Sequence, residues 1–209
     1  DKALLISATG TGKTYLAAFD VKAVHPKRML FVVHRRSIAI KAMETFKTII
    51  KDKSMGLFSG DNRGIDCDYI FATIQTIYKP ENRQLFSKEE FNYIIIDEVH
   101  KAGANSYQEL VNYFKPQFLL GMSATPERTD DFDIYKMFDY NIAYEIRLQQ
   151  AMEYDLLCPF HYYGITDITI DDQSINDMSD FNLLVDEKRV DYVINKINDY
   201  GYSGDRVHG

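Results

Sequence analysis

Five short apolar runs recur over the first 123 positions, and each is continuous instead of alternating with polar residues. The runs are ALLIS at 3–7, RMLFVV at 28–33, DYIFAT at 68–73, NYIIID at 92–97 and QFLLGMS at 117–123. A strand with one wet face alternates in polarity, whereas a continuously apolar strand is covered on both faces. The pattern therefore predicts a mostly parallel sheet with helices on both sides.

Helical periodicity fills several of the segments between these runs. In residues 37–51 one stripe carries the apolar side chains Ile38, Ala42, Phe46, Ile49 and Ile50. Ser37 is the N-cap that this pattern predicts. Segments 14–24, 106–114 and 181–200 are predicted helices as well. Alternating strands and helices, without an internal repeat, favour an α/β fold.

Length and composition limit the class of protein. The 209 residues leave room for one domain and part of another, and 45% of them are hydrophobic, as in ordinary globular chains. No apolar run approaches a membrane span, and the first residues carry no basic leader. The two cysteines, Cys67 and Cys158, lie far apart, which suits a reducing compartment. We therefore expect a soluble, cytoplasmic protein that makes no membrane contact.

Charge is distributed unevenly along the chain. Residues 1–100 contain 15 lysines and arginines against 12 aspartates and glutamates, a balance of +3, whereas residues 101–209 contain 9 against 19, a balance of −10. A surface that binds a polyanion is therefore more plausible in the first half. An ordinary solvated surface is the alternative interpretation.

A glycine-rich turn follows the first apolar run and leads into a predicted helix. Its glycines allow several backbone N–H groups to point into one concavity beside the positive end of the helix dipole. Lys13 can reach the β- and γ-phosphates of a nucleotide, and the Thr14 hydroxyl can bind Mg²⁺. Ser7 stands where the G-x-x-x-x-G-K-[ST] pattern has its first glycine. The predicted nucleotide-binding residues are Thr9, Gly10, Thr11, Gly12, Lys13 and Thr14.

Two adjacent carboxylates end the fourth apolar run. Asp97 suits the coordination shell of Mg²⁺, and Glu98 can orient or deprotonate an attacking water molecule. In an open α/β sheet, the loops at the carboxyl ends of the strands converge on one crevice. Taken alone, an Asp-Glu pair at this position is also typical of a plain turn at a strand end.

Polar and basic residues follow the second and third runs, at the same predicted edge. His34, Arg35 and Arg36 come directly after the second run, and Thr73 and Gln75 occur at the end of the third. Such groups grip nucleic-acid phosphates without reading bases. A solvated helix start is the alternative for the basic triplet. Four further lysines more simply form the wet side of their helix: Lys41, Lys47, Lys51 and Lys53.

In this order, the motifs ATGTGKT, DEVH and SATP (123–126) resemble motifs I, II and III of superfamily 2 helicases and translocases. FVVHRRSIAIKA (31–42) is similar to motif Ia, and FATIQTI (71–77) is similar to the next nucleic-acid motif. Residues 141–167 resemble the crossover between the two lobes of these motors. In this superfamily the first loop glycine is often replaced, which accounts for Ser7. The closest similarity is to the restriction-enzyme-like group, which includes bacterial DEAH-type helicase proteins related to type III restriction subunits.

This resemblance implies a RecA-like fold and an ATP site. It implies that Lys13 and Thr14 bind the phosphates and Mg²⁺, that Asp97 holds the metal and that Glu98 is the catalytic base. His100, Ser123 and Thr125 would couple hydrolysis to movement between lobes. Without the resemblance, Ser123 and Thr125 equally suit a turn that satisfies its own backbone.

The resemblance also suggests how the chain is divided. We expect residues 1–158 to form the first lobe, and residues 159–209 to form the crossover and the beginning of a second RecA-like lobe. Nothing after residue 167 resembles the arginine motifs that the second lobe supplies in cis. We therefore expect a fragment that alone binds nucleotide weakly and hydrolyses it slowly. The acidic stretch 166–180 is predicted to be a linker or loop.

Three classes of function stay open from the sequence. The leading one is the ATPase lobe of a nucleic-acid-dependent motor, with DNA favoured over RNA by the restriction-like resemblance. A P-loop phosphotransferase is disfavoured because Glu98 beside Asp97 suits water activation. A non-hydrolysing nucleotide switch or a nucleic-acid-binding module is the third class, and the presence of Lys13, Thr14, Asp97 and Glu98 disfavours it.

Overall fold

The computed structural model describes residues 1–101, 105–127, 133–158, 169–170, 173–174, 185 and 187–200. The chain divides into two compact units, Asp1–Cys158 and Pro159–Gly209. Residues 159–167 of the predicted crossover lie outside the described residues, as do residues 181–184 and 186 of the last predicted helix.

The first unit contains one eight-stranded sheet. Its strands are β1 (Lys2–Ser7), β2 (Met29–Val33), β3 (Met55–Ser59), β4 (Asn62–Arg63), β5 (Tyr69–Thr73), β6 (Tyr93–Ile96), β7 (Phe118–Ser123) and β8 (Ile142–Ile146). Their spatial order is β4-β3-β5-β2-β6-β7-β1-β8. Every pairing is parallel except the hairpin of β3 with β4. The predicted mostly parallel sheet is confirmed.

The first unit also contains seven described α-helices and a 3₁₀ turn. The helices are α1 (Lys13–Val24), α2 (Arg36–Ile49), α3 (Ile74–Ile77), α4 (Pro80–Arg83), α5 (Asn105–Tyr113), α6 (Ile134–Met137) and α7 (Leu148–Glu153). The 3₁₀ turn spans Val99–Lys101.

The continuous apolar runs form strands because both faces of the sheet are covered. Successive side chains of β1 belong to opposite clusters: Leu4 and Ile6 pack in one, and Ala3 and Leu5 pack in the other. The second cluster includes α1 and α2 residues and a group of aromatic rings. Phe31, Phe46 and Phe71 have ring centroids 5.2–5.6 Å apart. Close packing on both faces fixes the register of the strands that carry the site.

The N-cap of helix α2 lies two residues earlier than the sequence pattern predicts. Arg35 is its N-cap, with extended backbone angles. The Arg35 carbonyl accepts hydrogen bonds from the N–H groups of Ile38 and Ala39, both at 3.1 Å. Ser37 is therefore an exposed residue of the first turn, and its prediction as N-cap is wrong. The backbone bonds of Arg35 decide the boundary, although a serine is the better side-chain cap.

Strand β8 lies within the segment predicted to be a crossover. It pairs with β1 in parallel, and the Ala8 N–H continues the ladder to the Ile146 carbonyl at 3.1 Å. Ala8 and Ile146 pack with Ala151 of α7 and with Leu157 in a small cluster. Residues 142–146 are thus part of the sheet, and the segment after them supports the glycine-rich turn.

In the second unit the structure describes one hairpin and one helix. β9 (Thr169–Ile170) pairs antiparallel with β10 (Gln173–Ser174). The prediction that this stretch is only a linker or loop is therefore wrong for these four residues. Helix α8 (Glu187–Tyr200) confirms the described part of the predicted helix.

None of the described helices combines the length and the hydropathy that a membrane span requires.

Candidate nucleotide-binding site and the adjoining basic edge

The turn after β1 has the backbone shape of an anion cradle. Gly10 and Gly12 adopt left-handed φ angles of +89° and +85°, which side chains with a Cβ rarely adopt. Gly12 is also the N-cap of α1, and it makes no side-chain cap bond. The first N–H groups of a helix have no carbonyl partner within it. The amides at the start of α1 therefore have no helical partners, which is the arrangement that suits an anion at a helix terminus.

Ser7 explains how the turn keeps its shape without the first glycine of the pattern. Its side chain is fully buried, and its hydroxyl hydrogen-bonds to the Thr11 hydroxyl. Thr11 Oγ1 in turn donates to the Ala8 carbonyl at 2.6 Å. Thr9 and Gly10 form the exposed tip of the turn. Two hydroxyls thus tie the end of β1 to the middle of the turn.

Lys13 lies against the turn and within reach of the acidic pair. Its ammonium group donates to the carbonyls of Ser7 at 2.9 Å and Ala8 at 3.2 Å. Burial lowers the pKa of this ammonium group, and the charges of Asp97 and Glu98 partly offset that effect. The structure therefore brings Lys13 and the two carboxylates into one electrostatic environment. Thr14 follows in the first turn of α1 and is half-buried.

The acidic pair ends β6 at the same edge of the sheet. Asp97 is 9% exposed, and its N–H donates to the Val32 carbonyl at 2.9 Å. Glu98 has a left-handed φ of +52°, which is uncommon for a residue with a side chain. Its N–H donates to Asp97 Oδ1 at 2.9 Å. These bonds fix the Asp97 carboxylate and the Glu98 backbone at the point where the strand turns toward Val99–Lys101.

The donor set at this edge fits a magnesium nucleotide. Carboxylate and hydroxyl oxygens, here from Asp97 and Thr14, are ligands that Mg²⁺ prefers. Among the described residues, no cluster of three or more histidines, cysteines or carboxylates is arranged to hold a metal. Mg²⁺ typically uses one or two protein ligands together with phosphate oxygens and water. A cradle for phosphates beside one buried carboxylate matches that requirement.

The three predicted coupling residues lie together beyond the acidic pair. Ser123, at the end of β7, is 2% exposed. Its Oγ is 3.1 Å from His100 Nδ1 and accepts the Thr125 N–H at 3.1 Å. One buried hydroxyl therefore connects the segment after β6 with the segment after β7.

The basic residues lie at the carboxyl ends of β2 and β5, on the same sheet edge as the cradle. Arg35 and Arg36 have exposed side chains at the start of α2. The half-buried His34 ring hydrogen-bonds through Nδ1 to Gln75 Nε2 at 3.1 Å. His34 and Gln75 thus join the ends of two neighbouring strands.

Thr73 is buried, unlike the other predicted nucleic-acid residues. It is 5% exposed, and its hydroxyl donates to Ser59 Oγ at 3.1 Å. It also lies 3.0 Å from Thr76 Oγ1, which accepts the Gly60 N–H at 3.3 Å. The Thr73 hydroxyl therefore ties β5 to the turn after β3 and is not presented at the surface.

Sequence reasoning missed Tyr107, which lies on α5 close to the acidic pair. Its side chain is 2% exposed, and burial together with the charges of Glu98 and Asp97 raises the pKa of its hydroxyl to about 12. Helical periodicity over 106–114 could have placed its ring on the apolar side. Nothing in that periodicity indicates which polar groups the hydroxyl approaches.

Comparisons with known proteins agree with this geometry. The model of the family "Type III restriction enzyme, res subunit" matches residues 1–128. A type I restriction enzyme EcoAI endonuclease subunit of Escherichia coli is 28% identical over 232 residues, covering 96% of this chain and 28% of that protein.

Two solved structures show the same fold. The helicase domain of Pyrococcus furiosus Hef superposes with a TM-score of 0.58 and 20% identity, over 68% of this chain and 34% of that chain. The ATP-dependent type ISP restriction-modification enzyme LlaBIII, bound to DNA, gives a TM-score of 0.57 and 17% identity, over 74% of this chain and 14% of that one. The predicted RecA-like helicase fold is confirmed. The chain spans 25% to 31% of the length of the first three curated relatives.

Proposed function

The chain belongs to the family of type III restriction enzyme res subunits, and on that premise we propose that it is the ATP-hydrolysing lobe of a helicase or translocase acting on DNA. The observation that carries the proposal is the common environment of Lys13, Asp97 and Glu98 beside the glycine-rich turn. A phosphate cradle, a metal ligand and a base are the three parts that phosphoryl transfer to water requires.

Residues of this chain supply the phosphate cradle, the metal ligand and the base. The amides of the turn and Lys13 bind the β- and γ-phosphates of ATP, and Lys13 exchanges its carbonyl partners for phosphate oxygens. Thr14 and Asp97 would hold Mg²⁺, which would neutralise charge on those oxygens. Glu98 accepts a proton from the attacking water. The hydrogen bond from the Glu98 N–H to Asp97 Oδ1 fixes the position of the base relative to the metal ligand.

Coupling to movement uses the hydroxyl shared by His100 and Thr125. Ser123 Oγ is hydrogen-bonded to His100 Nδ1 and to the Thr125 N–H. A shift of the segment that carries Glu98 and His100 therefore displaces the residues at the end of β7. In the proposed motor, a second RecA-like lobe in cis closes on this edge and supplies arginines. Residues 1–158 form the first lobe, and residues 159–209 lead toward the second.

DNA is the proposed track. The family and the E. coli relative are restriction enzymes, and the structure of LlaBIII contains DNA. Exposed Arg35 and Arg36 at the start of α2 supply cations that suit a phosphate backbone. We place the protein in the cytoplasm, since Cys67 and Cys158 are both free thiols that suit a reducing compartment.

Binding of Mg²⁺-ATP to the 209-residue chain, measured by calorimetry, tests the nucleotide site. We expect weak binding that Lys13→Ala reduces by about tenfold or more, because the ammonium group pairs with phosphate oxygens. The matched control is Lys22→Ala, which removes an exposed lysine at the other end of α1. Equal affinity of the Lys13→Ala variant and the wild type would remove the basis of the proposal.

A further inference from the structure

Tyr107 combines deep burial with a hydroxyl that has no hydrogen-bond partner among the described residues. Its side chain is 2% exposed, yet Tyr107 Oη forms no hydrogen bond with any described atom. An unpaired buried hydroxyl lowers stability, and native proteins satisfy nearly all such groups. An exception of this kind calls for a partner in another state of the protein.

Other tyrosines of the same lobe show the ordinary arrangement. The hydroxyl of Tyr69 donates to the Pro26 carbonyl at 3.4 Å, and that of Tyr113 donates to the Phe86 carbonyl at 3.0 Å. The hydroxyl of Tyr93 donates to the Asp20 carboxylate. The surroundings of Tyr107 thus differ from those of three comparable side chains.

The position of Tyr107 identifies the partner. Its ring packs in the same cluster as Ile96 and Val99, the residues that flank the acidic pair in sequence. The negative charges of Glu98 and Asp97 act on its hydroxyl, with Glu98 the stronger of the two. The hydroxyl stays protonated at neutral pH and is therefore a donor, which is what a carboxylate accepts.

We propose that Tyr107 is a positioning residue for Glu98, whose carboxylate accepts a hydrogen bond from the Tyr107 hydroxyl once nucleotide is bound. The inference rests on the proposed function, because it assigns Glu98 the role of base. In the structure, the Lys13 ammonium is bonded to the carbonyls of Ser7 and Ala8. When the Lys13 ammonium binds phosphate oxygens instead, its attraction to Asp97 and Glu98 changes. The acidic pair then rearranges toward Tyr107.

The test uses the polypeptide that carries both lobes and compares Tyr107→Phe with the wild type. Removing an unpaired hydroxyl leaves the melting temperature of the nucleotide-free protein unchanged or higher. The value of kcat for ATP hydrolysis falls about tenfold, because a bond to a charged group is removed. KM for ATP stays within about twofold of the wild type, because Tyr107 does not touch the nucleotide.

Tyr113→Phe is the matched control on the same helix. Its hydroxyl has a carbonyl partner in the nucleotide-free protein, so its removal lowers the melting temperature. Tyr113 lies outside the proposed site, and kcat stays at the wild-type value. The same chemical change therefore has different expected effects at the two positions. Tyr107→Phe lowers kcat without lowering the melting temperature, whereas Tyr113→Phe lowers the melting temperature without lowering kcat.

A double-mutant cycle separates positioning from a general structural role. If Tyr107 acts through Glu98, Tyr107→Phe has no further effect on single-turnover hydrolysis in the Glu98→Gln background. An equal fall in both backgrounds, or a kcat within about twofold of the wild type, would overturn the inference. Failure of the proposed function itself looks different: the wild type would then hydrolyse no ATP, or Glu98→Gln would leave hydrolysis unchanged.

Discussion

The two halves of the carboxyl edge of the sheet are built in contrasting ways. On the nucleotide half, Asp97 and Ser123 are 9% and 2% exposed, and each is hydrogen-bonded to another segment, Asp97 through its N–H to the Val32 carbonyl and Ser123 through its Oγ to His100 Nδ1. On the basic half, Arg35 and Arg36 are exposed at the beginning of a helix. One half is fixed by the protein itself, whereas the other presents charge to solvent.

The contrast corresponds to the two kinds of recognition in the proposed motor. Hydrolysis requires a base, a metal ligand and phosphates held in a set geometry, so the residues that supply them are buried or half-buried before the ligand binds. Binding to a nucleic-acid backbone requires positive charge close to its repeating phosphates, and exposed arginines are sufficient for this. Substitutions in the first half should change rate, and those in the second should change affinity and its salt dependence.

The largest expected effect is that of Glu98→Gln. In the two-lobe polypeptide we expect ATP turnover to fall by about 10²- to 10⁴-fold, because the amide cannot accept the proton of the attacking water. ATP affinity should change little. Glu44→Gln, at an exposed position of α2, is the control for charge alone. Turnover of the Glu98→Gln variant equal to that of the wild type would show that Glu98 is not the catalytic base.

The double variant Arg35→Ala/Arg36→Ala should weaken binding of duplex DNA on the order of tenfold at moderate salt. The slope of log affinity against log salt should decrease by about one for each phosphate that the protein no longer binds. The matched control is Lys41→Ala/Lys47→Ala, which removes two exposed charges farther along α2. If both pairs weaken binding equally, only the net charge of the helix matters and the basic edge is not a defined site.

Ser123→Ala tests whether the shared hydroxyl transmits the effect of DNA. Loss of its bonds to His100 and Thr125 should reduce the ratio of DNA-stimulated to basal hydrolysis about fivefold, equivalent to about 1 kcal/mol. Ser59→Ala, also buried but on the basic half, should leave this ratio unchanged. A lower basal rate with an intact ratio would instead assign Ser123 to the chemical step.

The smallest functional effect is expected for Thr73→Val. The variant should lose about 1–2 kcal/mol of unfolding free energy in urea titrations, because the buried hydrogen bonds of the Thr73 hydroxyl to Ser59 and Thr76 disappear. DNA affinity should stay at the wild-type value, since the hydroxyl is not at the surface. The exposed Thr48→Val variant controls for the substitution itself. Weakened DNA binding by Thr73→Val at unchanged stability would restore Thr73 to the nucleic-acid surface.

Most of the sheet could be predicted because burial on both faces leaves a plain signal in the sequence. β1, β2, β5, β6 and β7 are continuous apolar runs between covered faces. β8 escaped prediction because it is an edge strand with four of its five residues exposed. β3 contains Gly56 and has a mixed burial pattern, so its five residues resemble a loop.

The candidate site could be predicted only as far as motif spacing reaches. The glycines, Lys13 and the acidic pair indicate phosphate chemistry because few other sites require these residue types in this order. Whether a hydroxyl points inward is a tertiary property, so the burial of Thr73 and the unpaired hydroxyl of Tyr107 had no signal in the sequence. The role of Arg35 as N-cap had no signal for the same reason, since backbone bonds determine it.

The most direct test of the proposed motor is ATP hydrolysis by the two-lobe polypeptide with duplex DNA, single-stranded DNA, duplex RNA and single-stranded RNA added separately. We predict strong stimulation by duplex DNA that Lys13→Ala abolishes. We also predict that the Arg35→Ala/Arg36→Ala variant keeps its basal rate and loses most of the stimulation. Stimulation by none of the four polymers, or stimulation that survives Lys13→Ala, would contradict the claim that this sheet edge is the motor site.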